Sequence, residues 1–167
     1  MCFFRSRDWK SGEHHATALY MILGSLLYLV LTAGYLLWSF VPDVPMLRLY
    51  CELIYSLIVF PLAVLMFLNN YPENSKKSKV LLHHLRWIGY FSGTELLLVW
   101  TNRIEYGNGW SWYCSVLFDT MMFPMLRLHS RRPLTAYVCS VFIIIGLLLV
   151  FRVPLPQVSE AILPTRP

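Results

Sequence analysis

Charge is scarce in this chain. Only 14% of its 167 residues are Asp, Glu, Lys or Arg, while 57% are hydrophobic, and the mean hydropathy is +0.53. That leaves too little polar surface to coat a water-soluble globule of this length. The longest hydrophilic stretch, Asn69 to Arg86, falls far short of the roughly 50 residues that an independent domain needs, so the whole chain reads as one unit. No G-x-x-x-x-G-K-[ST], G-x-S-x-G or H-E-x-x-H occurs, and the ATPase, serine-hydrolase and zinc-protease readings lack their signatures. The four cysteines, Cys2, Cys51, Cys114 and Cys139, make no C-x-x-C spacing and read as small buried hydrophobes rather than metal ligands or a required disulfide. The sequence therefore calls for no metal, no cofactor and no catalytic residue, and no repeat is visible.

What is present is a series of five apolar stretches. A helix crossing roughly 30 Å of hydrocarbon needs about 20 mainly apolar residues at 1.5 Å rise each. Segments near 17–41, 49–68 and 134–151 meet this without a basic residue inside; those near 85–101 and 110–126 are slightly short and contain Glu95 and Asp119. Runs such as Val141-Phe142-Ile143-Ile144-Ile145 are apolar on every side, which fits a lipid-facing helix and not the alternation of a barrel strand. The expected fold class is all-α, a polytopic membrane helix bundle of about five transmembrane helices with a flexible proline-rich tail over 153–167.

Basic residues set an orientation. Arg5, Arg7, Lys10, Lys76, Lys77, Lys79, Arg86, Arg127, Arg131 and Arg132 fall on one side of such a bundle, and Arg48, Arg103, Arg152 and Arg166 on the other. Lys and Arg are retained on the cytoplasmic side, so the N-terminus is expected inside and the C-terminus outside. The net charge of +5 then reflects topology and contact with the lipid bilayer, not nucleic-acid binding. All five histidines map to the inner interface and read as residues among headgroups.

The residues with chemistry are those inside the spans. An ionisable side chain at helix centre costs about 2.5 to 3.5 kcal/mol on the insertion scale, which makes it a functional candidate by default. Gly107-Asn108-Gly109 predicts a tight hairpin between the third and fourth spans, bringing Glu95 and Asp119 to one seam, with Ser92 and Ser115 one turn from each acid. These four residues are the candidate polar or proton site; alternatively they hydrogen-bond helices together. Glu52 follows Arg48 by four residues and predicts an interfacial ion pair, with a carboxylate path Glu52 to Glu95 to Asp119 as the other reading. Pro61 and Pro124 each remove a helical hydrogen bond and are candidate hinges. Arg127, His129, Arg131 and Arg132 form a basic cytoplasmic hairpin.

Several motifs stand in a distinctive order: Asp8-Trp9, Tyr28, Trp38, Pro61, Tyr71-Pro72, Trp87 and Glu95, then Tyr106-Gly107-Asn108-Gly109-Trp110, Phe118-Asp119, Met122-Phe123-Pro124, Leu126-Arg127-Leu128-His129, Arg132-Pro133-Leu134 and Val153-Pro154-Leu155. This order resembles an uncharacterised family of small five-span inner-membrane proteins of spore-forming Gram-positive bacteria. The resemblance implies a bacterial cytoplasmic membrane and supplies no reaction. The functional expectation is a binding, assembly or sensing component, or else a small proton- or cation-coupled transporter using Glu95 and Asp119. An odd span count makes a homodimer or a partner membrane protein the expected route to a two-fold transport pathway.

Overall fold

The computed structural model describes residues 11–42 and 48–154, with side chains from His14 onward. Arg5, Arg7, Lys10 and the tail beyond residue 154, Arg166 included, lie outside the described residues. Five helical rods run alternately up and down. The first is α1 (Ser11–Leu31); the second joins α2 (Arg48–Ile54), a π-helical turn (Tyr55–Val59) and α3 (Phe60–Asn69). The remaining rods are α4 (Lys77–Trp100), α5 (Trp112–Arg131) and α6 (Pro133–Val150), and two short strands, β1 (Trp38–Phe40) and β2 (Ile104–Tyr106), complete the fold. Helix α5 lies at the centre, packed on α1, α4 and α6, while α1 also packs on α3.

The all-α expectation holds for the rods, but the first one is shorter than its hydropathy implies. The apolar run to Val41 is not one helix: α1 ends at Leu31, and Gly34 turns the chain at φ +78°, a conformation that costs a residue with a Cβ. Apolar residues continue past that turn as strand β1, which pairs antiparallel with β2 in the register Trp38↔Tyr106, Ser39↔Glu105 and Phe40↔Ile104. A hydropathy scan reads only apolarity, so a strand following a helix merges with it. Beside the ribbon Gly107 is obligatory, because a Cβ there would sit 2.8 Å from the Leu36 carbonyl oxygen. Val153, the first residue of the expected flexible tail, is instead buried against Leu37 and Trp110.

The π-helical turn has a local cause. Pro61 has no N–H to offer the Leu57 carbonyl, and its ring crowds that turn, so the backbone widens just before it. Pro124 similarly deprives the Thr120 carbonyl of its donor within α5.

Three segments, His14–Leu31, Arg48–Asn69 and Pro133–Val150, are long and apolar enough to cross a membrane. Helices α4 and α5 have 24 and 20 residues, but their charged side chains lower their hydropathy. The surface is apolar and the interior partly polar: Leu134, Phe142 and Leu149 are 70 to 80% exposed, while Ser92, Ser115 and Asp119 are buried. This inversion is what a hydrocarbon solvent favours.

Two clusters hold the rods. At the end carrying Lys76, Lys77 and Arg131, Val64, Phe67, Leu68, Phe123 and Leu126 form a close-packed core. Phe67 is fully buried, with the rings of His83 and Phe123 each 5.0 Å away. Arg127 and Arg131 grip the two oxygens of Glu73 at 2.7 and 2.9 Å, and the Arg127 guanidinium also lies 4.1 Å over the Tyr71 ring. At the ribbon end Leu37, Trp110 and Val153 form the second, smaller cluster.

Candidate functional site

Helices α4 and α5 make the expected hairpin through Asn102 and Asn108, both in the left-handed region that asparagine tolerates, and Gly109. It brings Ser92 to Asp119: the hydroxyl donates to Asp119 Oδ2 at 3.1 Å. The Ser92 carbonyl accepts from the Trp112 indole at 3.0 Å, which ties the top of α5 to α4. Ser115 accepts from the Trp110 indole at 2.8 Å and also bonds the Tyr106 hydroxyl, not Asp119. Glu95 accepts from the Tyr106 hydroxyl at 2.6 Å. Each acid thus has its own hydroxyl donor, and the two are not bonded to each other. Burial and the bond to Glu95 raise the Tyr106 phenol above its ordinary range, which keeps its proton available for that bond.

Arg48 and Glu52 make no direct salt bridge, although Arg48 lies close enough to act on Glu52 electrostatically. Both side chains bind the Phe40 peptide instead: Glu52 Oε1 accepts its N–H at 3.1 Å, and Arg48 Nε donates to its carbonyl at 3.2 Å. The charged contact of Arg48 runs to Glu105, at 4.0 Å across β2. The reason is β1, whose Phe40 lies against the first turns of α2 and presents both a donor and an acceptor.

Between the rods lies a cavity of about 600 Å³. Its wall includes Glu52, Glu95, Asp119 and Ser115, but no Lys, Arg or His. Ser92 backs Asp119 from outside the wall. Strand alternation places Trp38 and Phe40 of β1 on the cavity side, while Ser39 faces a separate surface depression lined by Arg48 and Glu105. The ribbon therefore closes one end of the cavity. Tyr28 holds this closure: its hydroxyl accepts from the N–H groups of Leu37 and Trp38 and donates to the Trp38 carbonyl at 2.7 Å. Tyr28, Trp38, Phe40 and Tyr55 form a chain of ring contacts with centroids 4.0 to 5.5 Å apart. No three His, Cys, Asp or Glu side chains converge to hold a metal among the described residues.

The basic hairpin divides into exposed and buried parts. Arg131 and Arg132 are exposed, whereas His129 turns inward and is 3% exposed. Its ring stacks on Tyr20 at 4.3 Å, meets Tyr137 edge-on, and has Nδ1 3.1 Å from Thr17 Oγ1. Burial lowers its pKa, as it does for His83, whose Nε2 donates to the Phe67 carbonyl at 3.1 Å. The headgroup reading therefore fails for His129: Tyr20 and Tyr137 supply aromatic faces that sequence spacing does not reveal.

Sequence reasoning missed Tyr106, Trp38, Phe40 and Ser56. The signal for Ser56 was weak, a small polar residue five positions before a mid-span proline; for the strand residues there was none, because Trp38 pairs with Tyr106 and Phe40 with Ile104, from segments far apart in the chain. No family model, curated protein or solved structure matches the chain.

Proposed function

We propose that this is a five-helix integral membrane protein that binds a small ligand in its central cavity. The observation that carries the reading is that three acids, buried Glu52 and Asp119 and half-buried Glu95, line an open space and are not bonded to one another, although Asp119 also takes the Ser92 hydroxyl across the α4–α5 seam. Residues that serve only to fasten helices are expected to bond with each other in a packed interior. Here Glu52, Glu95 and Asp119 share a cavity within the roughly 300 to 1,000 Å³ range of small-molecule sites. The five spans are supported by the three apolar segments and by α4, whose outer face carries exposed Leu81, Leu85, Leu96 and Leu97. The basic residues gathered at one end support a cytoplasmic placement of that end, and the resemblance in motif order supports a bacterial cytoplasmic membrane.

The test is to fill the cavity. A Cβ at Gly24 meets nothing within 4 Å, so Gly24→Phe adds bulk to the wall without a backbone clash; Ala63→Phe, also on the wall, is the second variant. The neutral dye Nile red, titrated into the protein in lipid nanodiscs, is expected to bind the wild type saturably and to lose at least tenfold in affinity in both variants. Equal binding by wild type and both filled variants would refute the reading.

A second reading is favoured by the π-helical turn beside Pro61: a proton- or cation-coupled carrier, with Asp119 and Glu95 as its exchanging groups. π turns concentrate at functional sites and allow a rod to change register. Proton flux in proteoliposomes that disappears in Asp119→Asn would support it, and flux unchanged by that substitution would exclude it.

A further inference from the structure

We propose that the cavity's ligand is a lipophilic organic cation, an ammonium or phosphonium carrying an apolar body; the inference rests on the binding reading above. Three carboxyl groups line the wall, from α2, α4 and α5, and no basic side chain lines it, although Arg48 acts on Glu52 from beyond the wall. Glu52 and Asp119 are 4 and 6% exposed, so water outside the protein does little to solvate them. A carboxyl buried without a counter-charge is held in its neutral, protonated form, and a cation entering the cavity favours the ionised form, with the proton released to solvent.

The second observation is Ser56. It is 3% exposed, lies on the cavity wall within the π-helical turn, and makes no side-chain hydrogen bond among the described residues. Its oxygen is positioned to meet the polar part of a ligand on the same wall as Glu52, one helical turn away.

The aromatic chain selects the kind of cation. Tyr28, Trp38, Phe40 and Tyr55 line the cavity with Glu52; Tyr28 stacks on Trp38 and Phe40 on Tyr55, which leaves each ring one face for a cation to meet through its quadrupole. A bare metal ion is disfavoured because no three ligating groups converge among the described residues. An anionic lipid or fatty acid would meet three carboxyl groups and no cation. A neutral apolar ligand would fill the space but gain nothing from the three carboxyls. A soft, delocalised or alkylated cation satisfies the separated acids, the rings and the apolar remainder of the wall.

The test uses two probes of nearly equal shape and opposite charge, tetraphenylphosphonium and tetraphenylborate. Each is titrated into the full chain in zwitterionic nanodiscs, with empty nanodiscs subtracted and cavity-facing Trp38 and Trp110 reporting by fluorescence. The cation is expected to bind at least tenfold more tightly than the anion. That preference should fall at least tenfold in Glu52→Gln and in Asp119→Asn, each checked for folding by thermal unfolding, and Nile red should still bind both variants. If either variant fails to fold, Glu95→Gln replaces it. Equal binding of the two probes, or cation binding unchanged in the folded variants, overturns the proposal. Failure of both charged probes while Nile red binds overturns the cation inference alone; failure of all three overturns the binding reading with it.

Discussion

The two ends of the bundle solve different problems with similar residues. At the basic end, Phe67, Phe123, Val64 and Leu126 interlock with almost no exposure, and even a histidine, His129, is sandwiched between tyrosines. From the ribbon the open space runs down to the edge of that core, where Leu126, Tyr20 and Tyr137 also line it, and Glu52, Glu95 and Asp119 lie on its wall. One rod contributes to both regions: Ser56, in the widened π turn, faces the cavity, while Val64, eight positions on, lies in the core. The contrast teaches that the cavity does not follow from weak packing generally. It sits where Pro61 disturbs one helix and where β1 replaces the last turns that α1 would otherwise have had.

The largest expected effect breaks the packed end. Phe67→Ala removes a fully buried ring and should cost about 3 kcal/mol or more, read as a lowered unfolding midpoint in detergent. Leu147→Ala, on the cavity wall, should cost clearly less, because space already adjoins that side chain. Equal losses at the two sites would erase the distinction between the ends.

Next in size is Asp119→Asn. In the binding account it leaves stability within about 1 kcal/mol, the scale of a single interhelical hydrogen bond, while reducing cation binding at least tenfold. A large loss of stability with ligand binding unchanged would make Asp119 a fastener.

Acid should then loosen the packed end. His129 has a pKa below its unfolded value, so the unfolded chain binds the proton more readily. The stabilisation is complete above the unfolded pKa of about 6.5 and declines as pH falls through that value towards the lower folded one. Facing the ring are Tyr20 and Thr17 from α1 and Tyr137 from α6, none of which supplies an acid to stabilise an imidazolium. Thermal unfolding between pH 7.5 and 5 should show a falling midpoint whose slope is reduced in His129→Gln.

The smallest effect belongs to the clamp at the basic end. Glu73→Gln weakens the contacts to Arg127 and Arg131 and should cost about 0.5 to 1 kcal/mol, because Glu73 is half exposed and surface pairs contribute little. The loss should shrink further in high salt if the contact is mainly ionic.

Much of this contrast was legible in the sequence, but not its cause. The α2–α3 rod and α6 follow from uninterrupted apolar runs, and the α4–α5 hairpin from Gly107-Asn108-Gly109. Helical spacing also put Ser92 on the face that meets Asp119. The ribbon was not legible: Trp38-Ser39-Phe40 is as apolar as a helix end, and its partner Ile104-Glu105-Tyr106 lies in what reads as a plain connection. With the ribbon unseen, Glu52 had Arg48 as its nearest logical partner, and the Phe40 peptide that engages both could not be inferred. Cavities leave still less trace, because a side chain beside empty space and one beside another side chain are written with the same letters.

The most direct test compares two residues on the same rod that are equally buried but differently surrounded. With the native cysteines replaced by alanine, Ser56→Cys and Val64→Cys are each exposed to N-ethylmaleimide in nanodiscs, and labelling is followed by mass spectrometry. The account predicts that Cys at position 56 reacts at least tenfold faster, because it borders the cavity, and that prior addition of tetraphenylphosphonium slows it. Equal rates at the two positions, or protection at neither, would contradict an accessible binding cavity at the ribbon end.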